Sequence, residues 1–389
     1  MNHSNPHAVV IGAGFTGCAV AHDLTLRGFQ VTVVERGDIA NGTSGRTHGL
    51  LHSGARYCVT DQESAIECFE ENNLLRRIAS QCIEFNGGLF VALDENDLAY
   101  SARFEIGARD CGIPIDKLTA AQAGRMEPNL TPAVKLAYFV PDGVFDPLRL
   151  ALAFAATAKV NGARFLTYHE VTGLITNGRG AVSEVSTVNR HTNQPESIPA
   201  DIVINATGAW AGLVAKLVGA RVDVIPTPGV MVAYDQRLVQ RVINRLCEPD
   251  DGDILIPQRR MVVIGTTSFE VNDVDYIPVT PDQVQLMNNK AIELVPAIGN
   301  AHQRGAYMSA RPLIGSETLG RSLSRTFRCY NHQESDGIGG LVTITGGKAT
   351  TCRKMAEKTT DLVGELLRYQ EPCTTRDLVL ESYRRYYEN

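Results

Sequence analysis

Apolar positions recur along the chain with two different periods. His7-Ala-Val-Val-Ile11 and Val31-Thr-Val-Val34 are short continuous apolar runs, the first running directly into Gly12-Ala-Gly-Phe-Thr-Gly17. Runs this short, bounded by glycine, predict buried parallel strands. Between them Ala19, Val20, Leu24 and Leu26 predict a helix over 18–27 that Gly28 stops. Further helices are predicted over 61–79, 147–161, 281–294 and 349–368, with two more in 95–129 joined at Gly112-Ile113-Pro114. Asp146 and Pro147 supply an N-cap and first-turn pair. Strands are predicted at 87–93, 137–140, 162–175, 201–208, 307–314 and 340–345, with Pro226 and Pro228 marking 222–232 as an irregular edge strand. One hairpin is expected over 178–199 with a polar tip at 189–194, and another over 253–268 around Gln258-Arg259-Arg260.

Length and composition narrow the classes. A chain of 389 residues suits two domains. Hydrophobic residues at 44% and charged residues at 21% are ordinary for a globular protein, and a formal charge of -6 argues against nucleic acid as a partner. No 18-residue apolar run appears, so no spanning helix is expected. The nine cysteines contain no C-x-x-C pair, which argues for reduced thiols in a cytoplasmic setting and against a zinc or iron–sulfur site.

Three stretches carry candidate chemistry. The first strand, glycine turn, helix and second strand form a dinucleotide-binding unit. Gly12 makes the tight turn, Gly14 lets backbone approach a pyrophosphate, Gly17 lets helix pack on strand, and Glu35 stands where a carboxylate accepts ribose hydroxyls. The run Ser44-Gly-Arg-Thr-His-Gly-Leu-Leu-His-Ser-Gly-Ala-Arg-Tyr57 follows after a short loop, packing directional polar groups among small residues. Gly45, Gly49 and Gly54 permit close approach or positive φ, while Arg56 and Tyr57 offer donors to an anion. The turn Gly346-Gly347-Lys348 opens the last helix and repeats the anion-facing logic of the first unit. Candidate bases titrating near neutral pH are His52, His48 and His332.

NAD enzymes commonly continue with strand–helix alternation, whereas here the 44–57 run arrives at once. That order resembles the flavoproteins of the D-amino-acid oxidase and glycerol-3-phosphate dehydrogenase superfamily. His48-Gly-Leu-Leu-His-Ser-Gly-Ala-Arg-Tyr57, Ile264-Gly-Thr-Thr-Ser268, Ser309-Ala-Arg-Pro-Leu313 and Thr343-Ile-Thr-Gly-Gly-Lys348 are similar to the A subunits of anaerobic, FAD-dependent glycerol-3-phosphate dehydrogenases. The resemblance runs through nearly the whole chain. It implies FAD as cofactor and oxidation of glycerol 3-phosphate to dihydroxyacetone phosphate, with electrons passed to partner subunits or a membrane quinone. The protein would then be cytoplasmic, or peripheral on the inner face of the cell membrane.

The resemblance implies an α/β fold, with a Rossmann-like FAD-binding domain over 1–85, 141–222 and 320–389. It is interrupted by an α+β substrate domain with a mainly antiparallel sheet over 86–140 and 223–319. Arg56, Tyr57, Arg311 and Lys348 would bind the phosphate or orient the hydroxyls, with Arg325 a more distant cation and Arg311 also counted as catalytic. The cofactor surface would begin with Gly12, Gly14, Phe15, Thr16, Gly17, Glu35 and Arg36. It would continue through Thr43, Ser44, Arg46, Thr47, His48, Gly49 and Leu51, then Val171, Ala206, Thr207, Gly208 and Trp210. It would end on Arg311, Gly346, Gly347, Lys348, Ala349 and Thr350.

Two departures from the family pattern are Pro228 in place of a lysine and Cys352 in place of a tyrosine. The family's C-terminal cysteine-rich module has no counterpart after Pro372-Cys373-Thr374-Thr375. Another polyol phosphate such as erythritol or threitol phosphate, an amino-acid or 2-hydroxyacid oxidase, and a non-catalytic flavin subunit stay open as alternatives.

Overall fold

The computed structural model describes residues 5–271, 273–315 and 326–388. A six-stranded sheet is ordered Phe327–Asn331, Leu341–Gly346, Ile202–Asn205, His7–Ile11, Gln30–Val34, Arg164–Leu166. All its pairings are parallel except that of the edge strand Phe327–Asn331 with Leu341–Gly346. His7–Ile11 is buried along Ala8 to Ile11, as a central parallel strand covered on both faces must be. Helix Phe15–Leu26 buries ten of its twelve residues because Pro147–Val160 and Cys352–Leu367 pack on it. Each Val or Leu side chain fully buried in this cluster contributes about 1.5–3 kcal/mol.

A second sheet of eight strands is ordered Gln303–Ile314, Val224–Tyr234, Met261–Gly265, Ile254–Gln258, Val242–Arg245, Gly88–Ala92, Leu136–Val140, Asp116–Thr119. It is antiparallel except where Val242–Arg245 meets Gly88–Ala92. Helix Pro281–Leu294 covers one face through Met287, Ala291 and Leu294, and Thr280 caps it. The architecture is α/β with a second, mainly antiparallel sheet, and the chain passes between the two sheets repeatedly.

Several predicted elements take a different form. The stretch 95–129 is helix Glu95–Asp110, strand Asp116–Thr119 and helix Ala120–Met126. The intervening strand is short and polar, and it forms by pairing at the sheet edge with Leu136–Val140. The stretch 162–175 divides into Arg164–Leu166 and His169–Thr176, which join different sheets across Tyr168, whose φ is 58°. Val224–Tyr234 is an interior strand. Its proline half pairs on one side only, with Gln303–Ile314, and that leaves room for two residues lacking an N–H.

Candidate active site

A cavity of about 890 Å³ opens at the carboxyl ends of His7–Ile11 and Ile202–Asn205. From His7–Ile11 the chain returns to the neighbouring strand Gln30–Val34, whereas from Ile202–Asn205 it leaves for the eight-stranded sheet, and ligands of open α/β sheets bind outside such carboxyl ends. Gly12 has φ +100°, and a Cβ there would stand 2.8 Å from the Ala206 carbonyl oxygen, so only glycine carries the backbone this close to Ala206. The Phe15 N–H, at the start of the following helix, donates to Ser44 Oγ over 2.9 Å. Glu35 accepts the Ala13 and Gly37 N–H groups at 2.9 and 2.8 Å, which fixes its carboxylate at the end of the second strand.

Gly14, Phe15, Thr16, Glu35, Arg36, Thr43, Ser44, Arg46, Thr47 and His48 line the same cavity as Gly12. Val171, Ala206, Thr207, Gly208 and Trp210 line it too, as do Gly346, Gly347, Lys348 and Ala349 from the turn before helix Cys352–Leu367. Arg36 stacks its guanidinium 4.6 Å from the Trp210 ring centroid, and Asp275 accepts from both residues at 2.7 and 2.8 Å. A glycine cradle, a helix N-terminus, a pinned carboxylate and a second glycine turn on the wall of one cavity fit a dinucleotide flavin.

Four expected contact residues face protein instead. A Cβ on Gly17 would meet the Gly12 carbonyl oxygen at 1.8 Å, and one on Gly49 would meet Gln258 Nε2 at 2.0 Å, so both glycines serve packing. Leu51 is buried in the core while its neighbour Leu50 lines the cavity, the opposite face of one strand. Thr350 is buried, and its Oγ1 accepts the His52 N–H at 3.2 Å.

The structure brings Arg56, Tyr57, Arg311, Lys348, His48 and His52 together on one part of the wall. Thr43 Oγ1 donates to the Ala310 carbonyl at 2.6 Å and ties the 44–57 run to the strand carrying Arg311. Arg311 is held by the carbonyls of Thr227, Pro228 and Thr267 at 3.2, 3.2 and 2.8 Å and by Thr266 Oγ1 at 2.7 Å. Lys348 Nζ lies 4.5 Å from the Tyr57 ring centroid, and the His52 ring is 5.2 Å from Tyr57. Arg56 Nη2 binds Asp253 at 2.8 Å, and both side chains are buried. Burial opposes the charge on Arg56, but Asp253 outweighs it and keeps the guanidinium protonated.

His48 is pushed down to about 3, first by burial and then by Arg56 and Arg311. The Leu50 N–H donates to its Nδ1 over 3.2 Å, so the neutral ring carries its proton on Nε2. In this tautomer His48 carries an N–H and no lone pair on Nε2. His332 is corrected too. It lies outside the cavity, fully buried, with Nδ1 on Asp336 at 2.7 Å and Nε2 on Thr343 at 2.8 Å. Arg325 lies outside the described residues.

Asp253, Asp275, Thr266 and Thr267 carry contacts that sequence reasoning missed. Only the threonines had a signal, the Gly-Thr-Thr of the 264–268 stretch, and it named no role.

Residues 7–353 match the model of the FAD dependent oxidoreductase (DAO) family. The chain is 43% identical over 376 residues to the anaerobic glycerol-3-phosphate dehydrogenase A subunit of Escherichia coli K12, covering 96% of this chain and 69% of that relative. It is 42% identical to the corresponding A1 subunit from Haloferax volcanii, covering 96% of this chain and 66% of that one. The FAD-complexed glycerol-3-phosphate dehydrogenase of Bacillus halodurans superposes with a TM-score of 0.73 at 25% identity, over 98% of this chain and 68% of that chain. A cavity built for a dinucleotide flavin and a match spanning nearly all of the chain lead to one assignment: it belongs to the FAD-dependent oxidoreductase family, in the branch of anaerobic glycerol-3-phosphate dehydrogenase A subunits.

Proposed function

We propose that the chain oxidises sn-glycerol 3-phosphate to dihydroxyacetone phosphate. The observation that carries this reading is the meeting of Arg56, Arg311 and Lys348, from three remote segments, on the wall of a cavity that also holds the dinucleotide cradle. Two guanidinium cations and an ammonium suit the charge of a phosphate dianion. The names of the 43% and 42% identical relatives agree with it.

FAD, when bound, supplies the ring that accepts the hydride leaving the alcohol carbon. Arg56 and Arg311 hold the phosphate and so fix the distance from the alcohol to that ring. Tyr57 and Lys348 orient the hydroxyls. His52 accepts the hydroxyl proton, because His48 is committed as an Nε2–H donor. Leu50, Met231 and Ile254 on the same wall keep water from the reacting carbon.

Electrons then pass to a partner subunit or a membrane quinone. Among the described residues no helix is long and apolar enough to cross a membrane, so association with one is peripheral in this reading. The flavin unit comprises 1–85, 141–222 and 320–389, and the substrate unit 86–140 and 223–319.

Anaerobic mixing of the FAD-loaded protein with glycerol 3-phosphate, free glycerol, other polyol phosphates, amino acids and 2-hydroxyacids tests the proposal. Rapid bleaching of the flavin by glycerol 3-phosphate is expected. Bleaching only by another compound reassigns the substrate, and bleaching by none contradicts the catalytic reading.

A further inference from the structure

We propose that Asp253 is a positioning residue of the substrate site, acting through Arg56; this rests on the reading of Arg56 as a phosphate ligand. Asp253 immediately precedes strand Ile254–Gln258, and its side chain is 3% exposed against 9% for Arg56. Both of its carboxylate oxygens stand 2.8 Å from the same nitrogen, Arg56 Nη2. Oδ2 also accepts the Asp250 N–H at 2.8 Å, so the carboxylate is itself held by main chain.

Asp253 does not line the large cavity. It stands on the wall of a smaller one of about 510 Å³, and Pro249 is shared by the two walls. It therefore grips the guanidinium from behind and leaves the other nitrogens to the cavity. A long arginine side chain with several rotatable bonds presents its donors in one orientation only when something fixes the head group. Asp253 does so at Nη2 alone. Its chain neighbours reinforce the placement: Ile254 lines the substrate cavity, and Gln258, at the end of the same strand, donates to the His48 carbonyl at 2.8 Å. Residues 253–258 thus hold both the Arg56 guanidinium and the main chain of His48.

A purely structural ion pair would affect folding and flavin content, whereas a positioning pair affects phosphate recognition. The test uses the FAD-loaded full chain and two probes: inorganic phosphate, titrated through its perturbation of the visible flavin spectrum, and glycerol 3-phosphate in anaerobic flavin reduction. D253N is expected to raise the phosphate Kd and the glycerol 3-phosphate KM at least tenfold, with kcat within threefold and flavin content unchanged. R56A/D253N is expected to bind no more weakly than R56A, because an effect carried by Arg56 disappears with it.

Unchanged Kd and KM in D253N overturn the proposal, and so does a further loss in the double variant. Should D253N fail to hold flavin, D253E decides instead, because it keeps the charge and moves the carboxylate by one methylene: a raised phosphate Kd at full flavin content supports the positioning role and an unchanged Kd refutes it. A parent protein that binds phosphate but is not reduced by glycerol 3-phosphate refutes the substrate reading, while the phosphate titrations still decide this one. A parent that binds no phosphate overturns the inference.

Discussion

At the proposed cofactor end of the cavity the glycine turns bring main chain to the wall. The turn 12–17, the N–H groups on Glu35 and the Gly346-Gly347 turn lie within a few residues of the strands that carry them. At the proposed substrate end the groups are long charged side chains from three parts of the chain, each in contact with a residue distant from it in sequence: Arg56 with Asp253, Arg311 with Thr266 and Thr267, Lys348 with Tyr57. A backbone site fails as a unit when its geometry changes. A side-chain site loses affinity one group at a time. The two ends are therefore expected to respond differently to substitution.

The sharpest break comes from Gly17→Ala. The added Cβ meets the Gly12 carbonyl oxygen at 1.8 Å and its carbon at 2.9 Å, both main chain. A cost of about 3 kcal/mol or more is expected, at the upper end of overpacking effects. Thermal unfolding and flavin content should fall together; a variant with full flavin and an unchanged Tm would contradict the cradle.

Acid comes next, because one neutral imidazole is buried in the packing of the first helix and another at the cavity wall. His22, on the first helix, is pushed down to about 4 by burial and then by Arg353, and His48 to about 3. Both folded values lie below the unfolded value of about 6.5. Their stabilisation is complete above that pH and is lost as pH falls toward 4, at up to ~1.4 kcal/mol per pH unit for each group. Denaturant titrations at pH 7 and pH 5 should show the loss, and His22→Leu should flatten it; an identical slope would exclude His22 as a source.

Lys348→Met should raise the KM for glycerol 3-phosphate about tenfold, or ~1.4 kcal/mol, with flavin retained. Loss of flavin in step with the KM would assign the lysine to the cofactor end. The smallest effect is expected from Asp275→Ala, since its bond to Arg36 joins two partly exposed side chains. Melting should move by less than ~1 kcal/mol, readable by calorimetry.

Legibility in the sequence follows the same division. The dinucleotide unit could be read because its strand, turn, helix and carboxylate are consecutive, so local pattern alone specifies it. Arg311 and Lys348 could be named through resemblance, but not what aims them. The partners of Arg56 and Arg311 come from residues 227–267, and nothing along the chain announces that contact. Leu51 and Leu50 exchanged roles because one residue of register turns a strand side chain to the other face. His332 has the residue type of a base, yet Asp336 and Thr343 occupy both of its nitrogens. Strand Asp116–Thr119 carries no apolar alternation, and its partner alone makes it a strand.

Arg311→Ala is the most direct test of the claim that side chains distant in sequence clamp a phosphorylated alcohol beside a flavin held by main chain. Removing one member of a desolvated charge contact typically costs about 2–5 kcal/mol. Anaerobic reduction by glycerol 3-phosphate, followed together with flavin stoichiometry, should show a KM raised roughly a hundredfold at unchanged flavin content. Equal loss of flavin and of substrate affinity, or a KM like that of the parent protein, would contradict the account.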